Sequence, residues 1–428
     1  MQKDLPRLMR DPNLLPSEKQ DLLSRIAGQA ASFDMPCYVV GGFVRDLLLG
    51  TPINDLDVIV EGDAIKLGNA LVKKYGGKLT THQKFHTAIW HSSASLAGTM
   101  NLIPDTTTLD TIDLITARSE TYKTAGSLPT VTPSTIEDDL RRRDFTINAM
   151  AVRLDGDHFG ELLDPLGGQN DLKQKSIRVL HPRSFMDDPT RIFRAIRYAI
   201  RYSFILHPSS LTLVNLESLA ILEKLSGERI RHEFDLIFEE ENSAQILARL
   251  CELGIFDAFT PSLPKFNQNY SNLLNSQPPE EFGIPANRVT LGYLLWFMDS
   301  PMDVVEPLSK RLDFTSELSN ACFSAIRFKN KLSSLKEARP SEWTLQLEKI
   351  PLPAIYALWL VSGAPALKEF LVKWRHIKPT ITGDDLKIRG VPPGPLYKEI
   401  LANLRAAWLD GKLHSSDDEL RLLEAWIK

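Results

Sequence analysis

Residues 38–60, YVVGGFVRDLLLGTPINDLDVIV, constrain this chain more than any other stretch. An apolar run enters Gly41-Gly42, a helical pattern follows, and a second apolar run carries Asp55 and Asp57. Two glycines between a strand and a helix leave backbone N–H groups open to an anion, and the helix N-terminus adds partial positive charge there. Arg45, one turn in, can add a charge-assisted hydrogen bond to phosphate. Such turns are often only structural, and the acidic pair sharpens the reading. Residues i and i+2 of a strand share a face, so Asp55 and Asp57 converge; two close carboxylates repel unless a cation lies between them. Oxygen donors on a small rigid element suit Mg²⁺. The stretch reads as a phosphate-binding and metal-binding edge. The alternative, a solvated surface pair, fits poorly with flanking Leu56, Val58, Ile59 and Val60.

Length and composition bound the rest. A chain of 428 residues with 43% hydrophobic and 24% charged side chains is expected to be a soluble globular protein of roughly two to four domains. Cys37, Cys251 and Cys322 lie far apart, which suggests neither a disulfide framework nor a cysteine zinc site and fits a reducing, cytoplasmic location. The charged N-terminus has no apolar signal region, and no apolar run reaches membrane-spanning length, so secretion and insertion are not expected. A net charge of −4 argues against a general nucleic-acid coat protein. Residues 321–380 nevertheless hold ten Lys or Arg against four acids, either a solvated helical surface or a local basic face.

Periodicity and punctuation predict a helix over 17–32, a strand over 37–40, a helix over 43–49 stopped by Gly50, and a strand over 55–60. A helix from Gly62-Asp63 to about Tyr75 and strands over 79–81, 87–91 and 111–116 follow. Asp113, in the last of these, is a candidate third carboxylate, with a structural acid as the alternative. Residues 92–110 read as an irregular Ser/Thr-rich loop, and His82 and His86 as strand packing rather than a metal pair. Ser134 three residues before Glu137 makes an S-x-x-E capping box and predicts a helix over 135–150. On it Asp144 and Asn148 share a side at i and i+4, and Arg143, Asp144 and Asn148 are assigned to sugar and phosphate contacts. Short strands are expected at 152–154 and 162–163. From residue 171 onward the pattern is almost wholly helical.

The run DDPTRIFRAIR starts another helix, with Pro189 suited to its first turn. Arg191, Arg194 and Arg197 recur every three residues, a cationic ridge or a salt-bridged surface. Cytosine and adenine both offer an amino donor beside a ring-nitrogen acceptor, whereas guanine and uracil reverse that order. A carboxylate and an arginine side by side, as Asp188 and Arg191 can be, would accept C and A. The wrong bases would leave buried polar groups unpaired at about 1–3 kcal/mol each.

Taken together, GGFVRDLLLG, NDLDVIVEGD, DDLRRRDFTINAMA, LLDPLGGQNDL, MDDPTRIFRAIRY and SGERIRHEF resemble the class II tRNA nucleotidyltransferase and bacterial poly(A) polymerase family over about residues 36–240. The resemblance implies an α+β architecture: a polymerase-β-like nucleotidyltransferase head (small mixed sheet with helices) followed by an all-helical neck, body and tail. The corresponding ranges are 1–170, 171–260, 261–378 and 379–428, the tail binding tRNA. It implies template-independent addition of C and A to the tRNA 3′ acceptor end from CTP and ATP, with Mg²⁺. By matching position, Gly41, Gly42 and Arg45 would contact the nucleotide, Asp55 and Asp57 would hold the metal, and Arg143 would reach sugar or phosphate. Asp188, Arg191, Arg194 and Arg197 would form the base-selecting template and its support. Ser226 to Glu233 resembles the family's last motif, which braces the neck helix. The chain departs from the pattern at Asp187, where Glu is usual, and Asp187 is left out of the site. Addition of only A or only CC, poly(A) synthesis, and an inactive tRNA-binding module are the alternatives.

Overall fold

The strands Cys37–Val40 (β1) and Asp57–Val60 (β2) are apolar on both faces, as a central strand requires, and all but Asp57 of their residues are buried. The computed structural model describes residues 4–53, 56–92, 111–121, 126 and 130–427; the expectations for Asp55 and for the loop 93–110 lie outside them. Further strands run at Lys78–His82 (β3), Thr87–His91 (β4), Thr111–Thr116 (β5), Arg118–Thr121 (β6), Thr130–Pro133 (β7), Ala151–Arg153 (β8) and Leu162–Leu163 (β9). Seven of them form a mixed sheet in the order β3-β4-β5-β2-β1-β8-β9, while β6 and β7 make a separate hairpin. β2 and β5 are parallel, with Asp57 opposite Asp113, and the other neighbours in the sheet are antiparallel.

The two faces of this sheet differ. On one, Ala88, Trp90, Ile112 and Leu114 are fully buried, and the Ala64–Tyr75 helix packs there, Gly68 lying close to Leu79 and Leu114. Asp63 caps that helix by accepting from the Ile65 and Lys66 N–H groups. On the other face Tyr38, Val40, Ile59 and Ala151 are covered by Ile136 and Leu140, but the outer strand β3 is exposed except for Leu79. His82 is therefore exposed, and His86 sits exposed in a left-handed turn; neither packs in a core, because β3 is the sheet edge.

The helix expected over 135–150 stops early. It spans Ile136–Arg141, and only a 3₁₀ turn, Thr146–Asn148, follows. Between them Phe145 is extended, fully buried and bridged to Val179, and Thr146 N–H donates to the Arg178 carbonyl at 2.9 Å. These non-local bonds outcompete continuation of the helix. The N-cap is Thr135, whose hydroxyl accepts from the Asp138 N–H, and Glu61 accepts from the Ile136 N–H at 2.8 Å; Ser134 pairs instead with Asp138.

The chain divides into two compact units, Met1–Leu225 and Ser226–Lys428. The first holds the sheet, the Thr190–Arg201 helix and a short parallel pair, Ser176–Ile177 with Ile205–Leu206, the one departure in this unit from the helical pattern expected after residue 171. In the described residues of the second unit all regular structure is helical. Ser226 caps its first helix, Gly227–Phe238, and Phe234, Phe238, Tyr293 and Trp296 form an aromatic core. A smaller core of Ile381, Leu386, Val391, Ile400, Leu404 and Leu423 closes the C-terminal helices. Among the described residues no helix is long and apolar enough to cross a membrane.

Gly77 shows how tightly the strand edge is made. Its φ is +92° and a side chain there would be driven into the His91 carbonyl. Gly77→Ala is expected to lower the unfolding free energy by roughly 1–3 kcal/mol, read from the shift in a urea denaturation midpoint.

Candidate active site

At the end of β1, Gly41 turns the chain with φ +64° and ψ −121°, and the Gly42–Leu49 helix begins at once. A Cβ on Gly41 would lie 2.5 Å from Arg143 Nη1, so both the backbone conformation and the close approach require glycine. The β1–β2 register, continued one residue, sets Val40 opposite Asp57, beside this turn. A cavity of about 370 Å³ opens here, lined by Gly41, Gly42, Arg45, Asp57, Arg143, Asp144, Asn148 and Arg194. Eight sequence-selected residues thus meet in one place. Phe43, Asp46, Ile53, Tyr198, Arg201 and Tyr202 complete the wall and were not selected. The last three continue the face of the Thr190–Arg201 helix that starts with Arg191 and Arg194, at spacings of three and four, which is the signal that could have found them.

The wall is held by a chain of hydrogen bonds. Arg45 is buried, donates from Nε and Nη2 to the two carboxylate oxygens of Asp46, each at 2.9 Å, and from Nη1 to Asn148 Oδ1 at 2.7 Å. The Tyr198 and Tyr202 rings lie 5.5 and 4.8 Å from its guanidinium. Burial opposes its charge, but the Asp46 bonds and the phenols hold its pKa above the ordinary arginine value. Arg45 therefore braces the Gly-Gly helix against the Asn148 turn, and three of its five N–H donors are used in doing so. Asn148 Nδ2 in turn donates to Asp144 Oδ1 at 3.0 Å, and Arg194 donates to Asp144 Oδ2 from Nε and Nη2 at 2.9 and 2.6 Å. Arg143 is bound through Nη2 to the fully buried Asp139 at 3.1 Å and through Nη1 to the Asn148 carbonyl at 3.4 Å.

Asp188, Arg191 and Arg197 are not in the cavity lining. Asp188 Oδ1 accepts from the Thr190 N–H and hydroxyl at 3.1 and 2.7 Å, which fixes the start of the helix. The buried Arg191 guanidinium donates to Ser184 Oγ at 2.8 Å and to the Arg142 carbonyl at 2.9 Å. Arg197 is buried further along, 5.7 Å from the Tyr198 ring. Asp187 faces His181 and Arg183 at 3.9 and 3.7 Å.

The donor set for a metal ion can be judged on the sheet. Asp57 and Asp113 are direct neighbours on parallel strands, so their side chains project from the same face about 5 Å apart at the backbone. Both are accessible oxygen donors, Asp57 partly and Asp113 exposed, a set that fits a hard divalent cation. Among the described residues no group of three or more His, Cys, Asp or Glu is poised for a metal. The lining carries four arginines, of which Arg45, Arg143 and Arg194 are bound to Asp46, Asp139 and Asp144; much of the positive charge is thus already neutralised, which leaves a polyphosphate in need of a further cation.

Comparison with known proteins gives concordant matches. Residues 37–178 match the poly(A) polymerase head domain, and residues 212–266 match the probable RNA- and SrmB-binding site of polymerase A. The A-adding tRNA nucleotidyltransferase of Halalkalibacterium halodurans is 30% identical over 95% of this chain and 92% of its own length. That of Geobacter sulfurreducens is 31% identical over 95% of this chain, which spans only 47% of that relative. The CC-adding tRNA nucleotidyltransferase of Deinococcus radiodurans is 31% identical over 95% of this chain and 92% of its own length. Among solved structures, a CCA-adding enzyme in an apo form superposes with a TM-score of 0.79 at 28% identity, covering 99% of this chain and 100% of that one. The Thermotoga maritima CCA-adding enzyme complexed with tRNA gives 0.74 at 27% identity, covering 100% of both chains.

Burial raises the Asp144 pKa, but the Arg194 charge and the bonds from Asn148 and Arg194 outweigh it and hold the carboxyl below its ordinary value. A depressed carboxyl stabilises the fold above the unfolded-state pKa of about 4 and loses that contribution as pH falls through the folded value. Asp144→Asn is expected to cost about 1–3 kcal/mol at pH 7, and its deficit against the parent chain should shrink below pH 4. Chemical denaturation at pH 7 and pH 3 checks both.

Proposed function

The chain belongs to the tRNA nucleotidyltransferase and poly(A) polymerase family, an enzyme family, and from that premise we propose that it adds C and A residues to the 3′ end of tRNA from CTP and ATP. The observation that carries this reading is the single cavity in which the Gly41-Gly42 turn, Asp57 and the Arg143–Asp144–Asn148–Arg194 wall meet.

In the proposed reaction the 3′-oxygen of the RNA bonds to the α-phosphorus as the bond from that phosphorus to the bridging oxygen breaks and pyrophosphate leaves. The Gly41 and Gly42 backbone, at a helix N-terminus, holds the phosphates. Asp57 and Asp113, with Asp55 from the sequence pattern, would hold Mg²⁺. That ion would offset charge on the triphosphate and favour ionisation of the 3′-hydroxyl. Arg143, Asp144 and Asn148 orient the sugar, their side chains fixed before the nucleotide arrives. Asp188 would accept from the base amino group and Arg191 donate to the ring nitrogen, with Arg194 and Arg197 supporting their helix. Ser184 and the Arg142 carbonyl already immobilise the Arg191 guanidinium, which lowers the ordering cost of such a contact. The basic 321–380 region and the C-terminal helices are proposed to hold the tRNA.

A narrower second reading is addition of the terminal A alone, favoured by the two relatives named A-adding. Incubation with tRNAs ending at the discriminator base, at C and at CC, one nucleotide at a time, separates the two: C and A incorporation supports the first, AMP transfer only to CC ends supports the second. A long A tract made with ATP alone would point to poly(A) synthesis, and no incorporation with either nucleotide would sink both readings. Asp57→Ala is expected to lower the transfer rate by about 10²-fold or more with tRNA binding retained, checked by single-turnover kinetics and filter binding.

A further inference from the structure

The sheet register extends the catalytic face beyond its carboxylates. Asp57 pairs with Asp113, Asp113 with Ile89, and Ile89 with Thr80. On either side of that row Thr111 pairs with His91 and His91 with Lys78, and Ile115 pairs with Thr87 and Thr87 with His82. Directly paired residues project from the same face, so Lys78, Thr80 and His82 stand on the face that carries Asp57 and Asp113. All three are exposed, unlike Ile59 at the inner end of the same face. Two strand spacings separate Thr80 from Asp113, about 10 Å.

The chemistry of this shelf is one-sided. From Lys78 to His91 the chain has two lysines, three histidines and no acid. Thr80 Oγ1 and His91 Nε2 lie 3.3 Å apart across β3 and β4. At the turn between those strands Lys84 and Phe85 are exposed, Lys84 Nζ lies 5.6 Å from the Phe85 ring centre, and Arg118 Nη1 holds the Phe85 carbonyl at 3.0 Å. Glu120, which pairs with Arg118 and Arg142 at 3.5 and 2.7 Å, has only 8% of its side chain exposed. A positive strip with an exposed ring, lying along the sheet edge two strands from Asp113, matches a single RNA strand in charge and stacking capacity.

We propose that the β3–β4 edge is the seat of the acceptor strand: Lys78 and Lys84 contact its phosphates, Phe85 stacks an unpaired base, and the 3′ end runs inward toward Asp113. This assignment rests on the nucleotidyl-transfer reading above and adds to it the surface that holds the RNA end. Lys78→Glu, Lys84→Glu and the double variant, in the full chain, test it through separate KM values for tRNA and for the nucleotide. The double variant should raise the tRNA KM about tenfold and flatten its dependence on salt, with the nucleotide KM and saturating kcat within about twofold. Lys78→Arg with Lys84→Arg should restore the parental tRNA KM, and matching thermal melts exclude a folding defect. An unchanged tRNA KM in a double variant that still transfers nucleotide overturns the surface alone. A parent chain that neither transfers nucleotide nor binds tRNA overturns the surface and the reading beneath it together.

Discussion

The buried carboxylate of Asp144 is the junction on which the active-site wall depends. One oxygen takes the Asn148 amide and the Phe145 N–H, and the other takes both donors of Arg194. Through Asn148 it reaches Arg45 and Asp46 on the Gly-Gly helix; through Arg194 it reaches Tyr198 on the Thr190–Arg201 helix. Three segments distant in sequence are thereby locked with both carboxylate oxygens satisfied, the condition under which a buried charge is tolerated. The groups that line this cavity are therefore fixed in place, and on the proposed function that is the electrostatic preorganisation phosphoryl transfer draws on.

Much of the sheet was legible because its signals are local. β1, β4 and β5 lie where alternation and apolar runs set them, Gly50 ends its helix in the left-handed conformation, and Asp63 caps the next helix. The sequence grouping of Gly41, Gly42, Asp57, Arg143, Asp144, Asn148 and Arg194 was also legible, as recurring motifs, and these residues do line one cavity. What could not be read was set by partners far along the chain. The helix over 135–150 is cut short by Phe145 pairing with Val179 and Asp144 pairing with Arg194. Arg45 does line the cavity, but its bond to Asn148, 103 positions along the chain, is not disclosed by anything local. His82 looked like packing because edge position in a sheet depends on strand order, which no single strand encodes.

The arginines follow one pattern. Arg45, Arg143 and Arg194 each sit against an aspartate, Arg143 sharing Asp139 with Arg142, and Arg191 is held by a hydroxyl and a carbonyl. Planar guanidinium groups fixed in this way serve as walls of defined shape rather than as mobile countercharges. Shape is what a site must offer if it is to distinguish bases without a nucleic-acid template.

The two faces of the sheet have different freedom to change. Trp90, Ile112 and Leu114 are fully enclosed against the Ala64–Tyr75 helix, and replacing them alters core volume. Lys78, Thr80 and His82, on the opposite face, are exposed, and exchanges at such positions carry little folding penalty. With the acceptor strand seated there as proposed, a lineage can revise how an RNA end is held by drifting along one exposed strand. The scaffold would register none of it, and chains of the same architecture could part ways in substrate while keeping an unchanged core.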